Sequence, residues 1–410
     1  MRLGSRGFAG FIVANATSMI GDAFRVFTLI LWIFETSGHS GLAVAGLMVA
    51  QMVPSVLAGS VAGALVDRWP RRRTLIACDV IRTITGLGLV AAALGHGHRH
   101  LIIGLLLVTA SSTVGVVSSI AGVATIPHLV ADEHLDRANG IWTVAEQLSF
   151  VIGPAVGAFS FARWGAVPAL ALDAATFALS ALTLAATMPE ILLRSDDDEV
   201  VEPLRRRVAD GLRYLRADRM IRGAVVALGL RSLSAGVNNT IMVFFIAESL
   251  HHNPADLAVL AVANGIVQVA VGGVLIAIAT RARMAANLRL GAYALMAGGI
   301  IVALAPNLAI LIVGVIVTAI GNAPANIGQN VVEQRFVRAG FLGRVRGMQE
   351  VLIPLCFLIA TSASGALVGP VGARTLLIAS AVLLSTAAAV TETSVIRRLG
   401  DRMPSPEPVH

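Results

Sequence analysis

Charged and amide side chains interrupt the long apolar runs of this chain at helical spacing. Asn15, Ser18, Asp22 and Arg25 recur at steps of three and four residues, which places them on one face of a helix. A charge inside a bilayer costs roughly 2.5–3.5 kcal/mol on insertion scales, so such groups mark a ligand or ion pathway or pair with one another. Asp22 and Arg25 can pair within their own helix. The stripe predicts either a polar surface at which Asp22 exchanges protons or a static ion pair between helices.

A second polar stripe follows later in the chain. Arg231, Ser234 and Asn238 have the same spacing, and an offset of 216 residues lays one stripe on the other. Arg231 has no obvious partner nearby in sequence, so we expect it to attract an anionic ligand group or Asp22. Three further polar residues in apolar runs add hydrogen-bonding capacity: Glu146, Asn322 and Asn326. The glutamate among them is, with Asp22, a candidate proton carrier.

A dense polar knot lies between the second and third apolar runs, within Gly63–Arg73. One carboxylate and four guanidiniums cannot lie in hydrocarbon, so the knot marks a membrane boundary and a short turn. Gly63 permits close helix approach, as small residues do in membranes. Asp67 can accept hydrogen bonds from a helix N-terminus, whose partial positive charge favours a carboxylate. Three arginines accompany them at the positions used below: Arg68, Arg71 and Arg72.

Composition places the chain in lipid. Hydrophobic residues make up 56% and charged residues 13%, whereas soluble domains carry about 25% charged residues. The net charge of +7 comes from arginines set in short segments between apolar runs, which argues against nucleic-acid binding. The chain contains no lysine, which excludes a Walker A loop and a lysine Schiff base. We therefore expect neither a cofactor nor enzymatic activity.

The apolar runs predict an all-α integral membrane protein with twelve transmembrane helices, since about 20 apolar residues span a bilayer. The runs lie near residues 8–35, 42–66, 74–95, 101–126, 138–162, 167–188, 222–248, 256–280, 288–305, 309–332, 347–370 and 373–395. We expect a six-helix bundle over residues 1–188 and another over 222–396. A cytoplasmic linker with an amphipathic helix joins them over 189–221, and a cytoplasmic tail follows over 397–410.

Arginine placement predicts the orientation. With both termini inside, the inner segments hold 25 of the 31 arginines, and three lie in outer loops. Because positive residues concentrate on the cytoplasmic side, we expect both termini and the linker to be cytoplasmic. Shifting the count by one helix destroys this asymmetry.

The two halves repeat. At an offset of 207 residues, Leu148–Ile152 aligns with Leu355–Ile359, and Gly165 aligns with Gly372. One offset that holds across two helices and a loop predicts a duplication in the same orientation, with halves related by an axis along the membrane normal.

The knot pattern, Gly-x-x-x-Asp-Arg-x-x-Arg-Arg, resembles the loop between the second and third helices of major facilitator superfamily transporters. Further segments resemble the enterobactin-exporter and macrolide-efflux branch: Ser18–Asp22, Ala77–Arg82, Arg137–Gly140, Gly211–Leu215 and Gly343–Gly347. The resemblance implies the major facilitator fold, two pseudo-symmetric six-helix bundles. It also implies that the knot is a latch, broken as the transporter changes state.

The resemblance extends to the fifth helix. Gly153, Pro154 and Gly157 match most of an antiporter signature, although Ser149 and Ala158 replace two of its glycines. Residues 149, 153 and 157 form one ridge for close helix contact, and Pro154 permits a bend. An ordinary kinked helix is the alternative.

In this superfamily the first helices of each half line a central cavity, which implies a ligand role for both polar stripes. We expect Asp79 and Arg82, near the cytoplasmic face, to brace the latch, and Asp173 to be structural.

The combined prediction is a secondary transporter of the bacterial cytoplasmic membrane. It exports a small amphipathic molecule, a drug or secondary metabolite, by proton antiport and acts as a monomer in the bilayer. The alternatives are a siderophore or lipid exporter of the same fold and a non-transporting membrane sensor or assembly protein.

Overall fold

A computed structural model describes most of the chain. The described residues are 6–66, 69–95, 97–131, 134–189, 213, 215, 218–278, 284–337 and 341–398. Asp67 and Arg68 of the knot, most of the predicted linker and all but the start of the predicted tail lie outside them.

The described residues form twelve long helices and no strand. The first six are α1 (Arg6–Thr36), α2 (Gly41–Val66), α3 (Arg71–Leu94), α4 (His98–Leu129), α5 (Leu135–Trp164) and α6 (Ala166–Thr187). The next six are α7 (Arg219–Phe244), α8 (Leu257–Ile278), α9 (Met284–Leu304), α10 (Leu308–Phe336), α11 (Leu342–Val371) and α12 (Ala373–Val390). Short π-helical segments extend α7 over Phe245–Ser249 and α12 over Thr391–Ile396.

Within the described residues, ten helices are long and apolar enough to cross a membrane. The all-α membrane fold is therefore confirmed. Helices dominate because backbone N–H and C=O groups have no water to bind in hydrocarbon and must pair within the segment.

The chain divides into two compact units. The first comprises Met1–Val201 with His252–Val262, and the second comprises Glu202–His251 with Ala263–His410. In the first unit α1 packs on α5 and α6, and α3 packs on α4 and α6. In the second unit α7 packs on α11 and α12, and α9 packs on α10 and α12. The same four helix pairs therefore recur in each unit.

The repeat also governs the turns before the last helix of each unit. Gly165 precedes α6 with φ +81°, and Gly372 precedes α12 with φ +87°. Positive φ is strained for residues that carry a Cβ, so glycine is needed at both aligned positions.

Close contact between α1 and α5 fixes the geometry of the first unit. A Cβ on Gly153 would lie 2.8 Å from Phe24 N and 2.9 Å from Ile20 O, and one on Gly157 would lie 2.7 Å from Phe24 O. Ser149 continues this ridge and donates from Oγ to Ala16 O at 3.4 Å. The ridge lets the two backbones meet, which strengthens dispersion contacts where lipid offers no hydrophobic drive.

In the second unit α7 and α11 approach each other as closely as α1 and α5 do, but here the glycine lies on α7, the first helix of the unit. Gly236 of α7 faces α11, where an added Cβ would lie 2.5 Å from Phe357 O and 3.0 Å from Ala360 Cβ. Ala360 aligns with Gly153 at the offset of 207, and Gly236 aligns with Ile20 at the offset of 216. Thr361 adds a hydrogen bond from Oγ1 to Gly236 O at 3.2 Å.

Candidate functional site

The first unit contains a cavity of about 220 Å³ between α1, α3, α4 and α5. It is lined by Asn15, Ser18, Met19, Asp22, Ala23, Val26, Arg82, Gly115, Ser118, Ser119, Trp142, Glu146 and Ser149. We call it the Asp22 cavity. Three residues that the sequence pattern singled out, Asn15, Asp22 and Glu146, lie together in it. A neighbouring space of about 380 Å³ shares Asp22 and is also lined by Arg25, Gln51 and Ser112.

Asp22 is the charged centre of the cavity. Its Oδ1 accepts from Arg25 Nη2 at 2.8 Å and from Arg82 Nη2, so two guanidiniums hold one carboxylate oxygen. The Asp22 side chain is 41% exposed, whereas those of Arg25 and Arg82 are 6% and 3% exposed. The carboxylate is therefore accessible, whereas the two guanidiniums that hold it are almost fully buried.

The two arginines are anchored behind Asp22. Arg82 Nη1 donates to Ser18 Oγ at 3.1 Å, and Arg25 Nη1 donates to Ser111 Oγ. Both guanidiniums also lie over the Phe177 ring of α6, with Cζ 4.0 Å from its centroid for Arg82 and 5.4 Å for Arg25. An aromatic face attracts cations, most strongly where water is excluded.

Two further carboxyl groups lie behind the arginines. Asp79 accepts from Ser180 Oγ at 2.5 Å and from Ser18 Oγ at 3.3 Å. Asp173 is fully buried, and neither of its carboxyl oxygens has a hydrogen-bond partner among the described residues. We call Asp22, Arg25, Asp79, Arg82 and Asp173 the buried charge cluster.

Three further lining residues of the Asp22 cavity are Asn15 of α1 and Trp142 and Glu146 of α5. Glu146 makes no ion pair with any residue in the described part of the chain. Asn15 donates from Nδ2 to Phe11 O at 2.9 Å. Trp142 stacks on Phe11 with ring centroids 5.7 Å apart and adds an aromatic surface. A carboxylate, an amide and an indole can together hold an amphipathic ligand.

In the second unit Arg231 pairs with an amide. Its Nη2 donates to Asn326 Oδ1 at 2.7 Å, and it forms no ion pair with a carboxylate of the described residues. The space beside it is only about 20 Å³, roughly enough for one water. Asn238 donates to Ser380 Oγ at 2.6 Å and so bridges α7 and α12. Asn322 lies in α10, and its side chain makes no hydrogen bond to another described residue.

Three of the five predicted latch residues of the knot lie in the described part of the chain. Gly63 lies in the last turn of α2, and Asp67 and Arg68 are outside the described residues. Arg71 is buried. Arg72 donates from Nη2 to Ala185 O at 2.7 Å, near the C-terminal end of α6, where the helix dipole favours a cation. Arg72 thus braces α3 against α6 within the first unit.

The structure differs from the expectation for Arg82, which lines the Asp22 cavity instead of bracing the knot. Asp79 is held by serines, and Arg82 reaches Asp22 and Ser18 of α1. Spacing along α3 could not have found this pairing, because it depends on how separate helices pack.

Comparisons with known proteins agree on one family. The model of the Major Facilitator Superfamily matches residues 7–361. The chain is 26% identical over 381 residues to the multidrug efflux pump Tap of Mycobacterium tuberculosis, covering 89% of this chain and 90% of that protein. It is 23% identical over 208 residues to macrolide efflux protein A of Streptococcus pyogenes, covering 50% of each chain.

Solved structures give the same fold at lower identity. The nucleoside transporter NupG superimposes with a TM-score of 0.75 at 15% sequence identity, covering 94% of this chain and 99% of that one.

Proposed function

The chain belongs to the Major Facilitator Superfamily, whose members are membrane transporters and not enzymes, and from this premise we propose that it exports a small amphipathic molecule by proton antiport with alternating access. The observation that carries the proposal is the Asp22 cavity, in which an accessible carboxylate is held by two buried guanidiniums. The names of the relatives, a multidrug pump and a macrolide efflux protein, support a drug or secondary metabolite as cargo.

In the proposed cycle the cavity carboxylates bind ligand and proton in turn. Asp22 and Glu146 are the two acids of the cavity lining, and Asn15 and Trp142 supply an amide and an aromatic face beside them. A ligand donor and a proton compete for the same carboxylate oxygens, so binding of one releases the other. This competition is the simplest coupling that the residues support.

The remaining candidate residues have supporting roles in this proposal. Arg231, which binds Asn326, attracts an anionic or carbonyl group of the ligand. Asn322, four residues before Asn326 on α10, adds a further hydrogen-bonding group. The latch, which breaks as the transporter changes conformational state, consists of Gly63, Asp67, Arg68, Arg71 and Arg72. The ridge of Gly153 and Gly157, with the bend at Pro154, permits α5 to shift against α1.

Everted membrane vesicles containing the full chain test this proposal with ethidium and erythromycin as probes. Respiration acidifies the vesicle interior, and we expect probe accumulation that a protonophore abolishes. Asp22→Asn should lower accumulation at least tenfold at equal expression, because the amide cannot exchange a proton. Glu392→Gln is the matched control, since Glu392 pairs with Arg289 on the second unit and is absent from the cavity lining.

Three outcomes contradict the proposal. Accumulation that survives the protonophore excludes proton coupling, and wild-type rates in Asp22→Asn exclude the role of that carboxylate. If neither probe moves and a deletion strain shows unchanged sensitivity to a compound panel, drug export is wrong. Loss of a secreted siderophore or an altered lipid profile in that strain would instead indicate the alternative cargo.

A further inference from the structure

The buried charge cluster has one carboxyl group more than it has guanidiniums. Asp22, Asp79 and Asp173 face Arg25 and Arg82 in a region where four of these five residues are at most 5% exposed. If all five were ionised, one negative charge would lie uncompensated among packed helices, which is strongly unfavourable. A proton on one of the three carboxyl groups makes the cluster neutral.

The hydrogen bonds of the three carboxyl groups indicate which of them carries the proton. Asp22 accepts from both arginines, and Asp79 accepts from two serines. Neither oxygen of Asp173 has a partner in the described residues, although Thr176 and Gly21 surround it closely. The carboxyl group with the least support for a negative charge is Asp173.

An unused donor lies in the same cluster. Arg82 Nε is buried and has no hydrogen-bond partner in the part of the chain that the structure describes. Arg82 lies over the ring of Phe177, which is one helical turn from Asp173 on α6. An unsatisfied donor of α3 and two unsatisfied acceptors of α6 therefore lie on helices that pack directly together.

The second unit shows that the fold does not require an acid here. Ser380 aligns with Asp173 at the offset of 207, and its hydroxyl bonds to Ser234 Oγ at 2.7 Å and to Asn238 Nδ2 at 2.6 Å. Leu384, which aligns with Phe177, packs in an apolar cluster. A neutral, fully bonded serine fills this position in one unit, so the unbonded acid of the other calls for a role beyond packing.

We propose that Asp173 is the alternate acceptor for Arg82 and holds a proton while Arg82 is bound to Asp22. When a cationic group of the ligand occupies Asp22, its charge replaces that of the guanidinium there, and Arg82 turns to Asp173. The O–H bond of Asp173 then breaks, and its proton passes to water in the Asp22 cavity. This exchange rests on the proposed antiport and supplies it with one released proton for each ligand bound.

The nearby charged groups are Asp22 and Arg25 of α1 and Asp79 and Arg82 of α3, the other members of the buried charge cluster. The third helix packed on α6 is α5, whose Glu146 lines the Asp22 cavity. Because Asp79 is already bonded to two serines, it competes weakly for Arg82. The exchange therefore runs between Asp22 and Asp173.

Infrared spectroscopy of the purified full chain in nanodiscs tests this without a ligand or transport. We expect the wild type to show the C=O stretch of one buried protonated carboxyl group, shifted by exchange into heavy water. Asp173→Asn should remove the band, and Asp173→Ser, which copies the residue of the second unit, should do the same. The decisive variant is Asp22→Asn, which removes the competing charge without changing Asp173 and should abolish the band.

Glu392→Gln, in an ion pair of the second unit outside the cluster, is the control, and it should leave the band in place. A band that persists in Asp22→Asn overturns the exchange, and a wild type without such a band overturns protonated Asp173. Either result would leave the vesicle experiment unaffected, whereas failure of probe transport would leave the infrared result standing. The inference and the proposed function are thus separately testable.

Discussion

At the scale of single residues, Arg82 is central to the site. It binds Asp22 and Ser18 and covers the Phe177 ring, so it joins α1, α3 and α6. A buried ion pair adds little over well-packed apolar residues, but removing one partner leaves an uncompensated charge. The stability of the first unit should therefore depend on Arg82 more than on any exposed arginine.

The first prediction concerns this dependence. Arg82→Gln should lower the free energy of unfolding by about 3–5 kcal/mol, because Asp22 and its neighbours lose a buried cation. The double variant Asp22→Asn with Arg82→Gln should recover part of that loss, since the charge imbalance falls. Unfolding of the purified protein in micelles measures both. Arg99→Gln, at an exposed arginine, is the control, and equal stability of Arg82→Gln and this control would refute the prediction.

A second prediction at this scale separates the two cavity acids. Glu146 has no ion-pair partner among the described residues, whereas Asp22 has two. Glu146→Gln should therefore change the free energy of unfolding by less than about 1 kcal/mol, as for substitutions that break no network. It should still weaken ethidium binding measured by fluorescence in micelles. A large loss of stability would show that Glu146 has a structural partner.

At the scale of helices, close backbone contact fixes how α5 packs on α1. The contact of α5 with α1 requires Gly153, because an added Cβ would overlap backbone atoms that cannot move independently. Gly140 lies on the same helix with nothing within 4 Å of an added Cβ. One helix thus carries a glycine that packing requires and another that it does not.

The third prediction uses this pair. Gly153→Ala should destabilise the protein by about 1–3 kcal/mol through overpacking. Gly140→Ala should be neutral or stabilise it by up to about 1 kcal/mol, because alanine favours helix. Thermal unfolding in micelles and expression level in membranes report both. Equal behaviour of the two variants would contradict the contact between α1 and α5.

At the scale of the whole molecule, much of the fold could be predicted from the composition of the chain and its internal repeat. The apolar runs predicted an all-α membrane fold, and the resemblance of the knot pattern and further segments predicted the family; both are confirmed. Periodicity also placed Asn15 and Asp22 on one face, and both line the cavity. Contacts between helices were less predictable. The partner of Asp22 from α3 and the isolation of Asp173 depend on packing angles, which spacing along one helix does not encode.

The orientation of the chain in the membrane remains a prediction from its arginines. In a background with Cys78→Ala and Cys356→Ala, an impermeant maleimide should label Arg99→Cys in intact cells. It should label Arg397→Cys only after the cells are permeabilised. Both positions are exposed, so accessibility differs only by the side of the membrane. The opposite labelling pattern would invert the assigned topology.

The glycine that lets the first and fifth helices of each unit meet has changed sides between the units. Gly153 contacts the Ile20 region in one, and Gly236 contacts the Ala360 region in the other. A chimera that transplants α11 in place of α5 would set alanine against isoleucine, whereas the reverse graft would leave a void between two glycines. We therefore expect a helix to be exchangeable between the halves only together with the helix that it contacts.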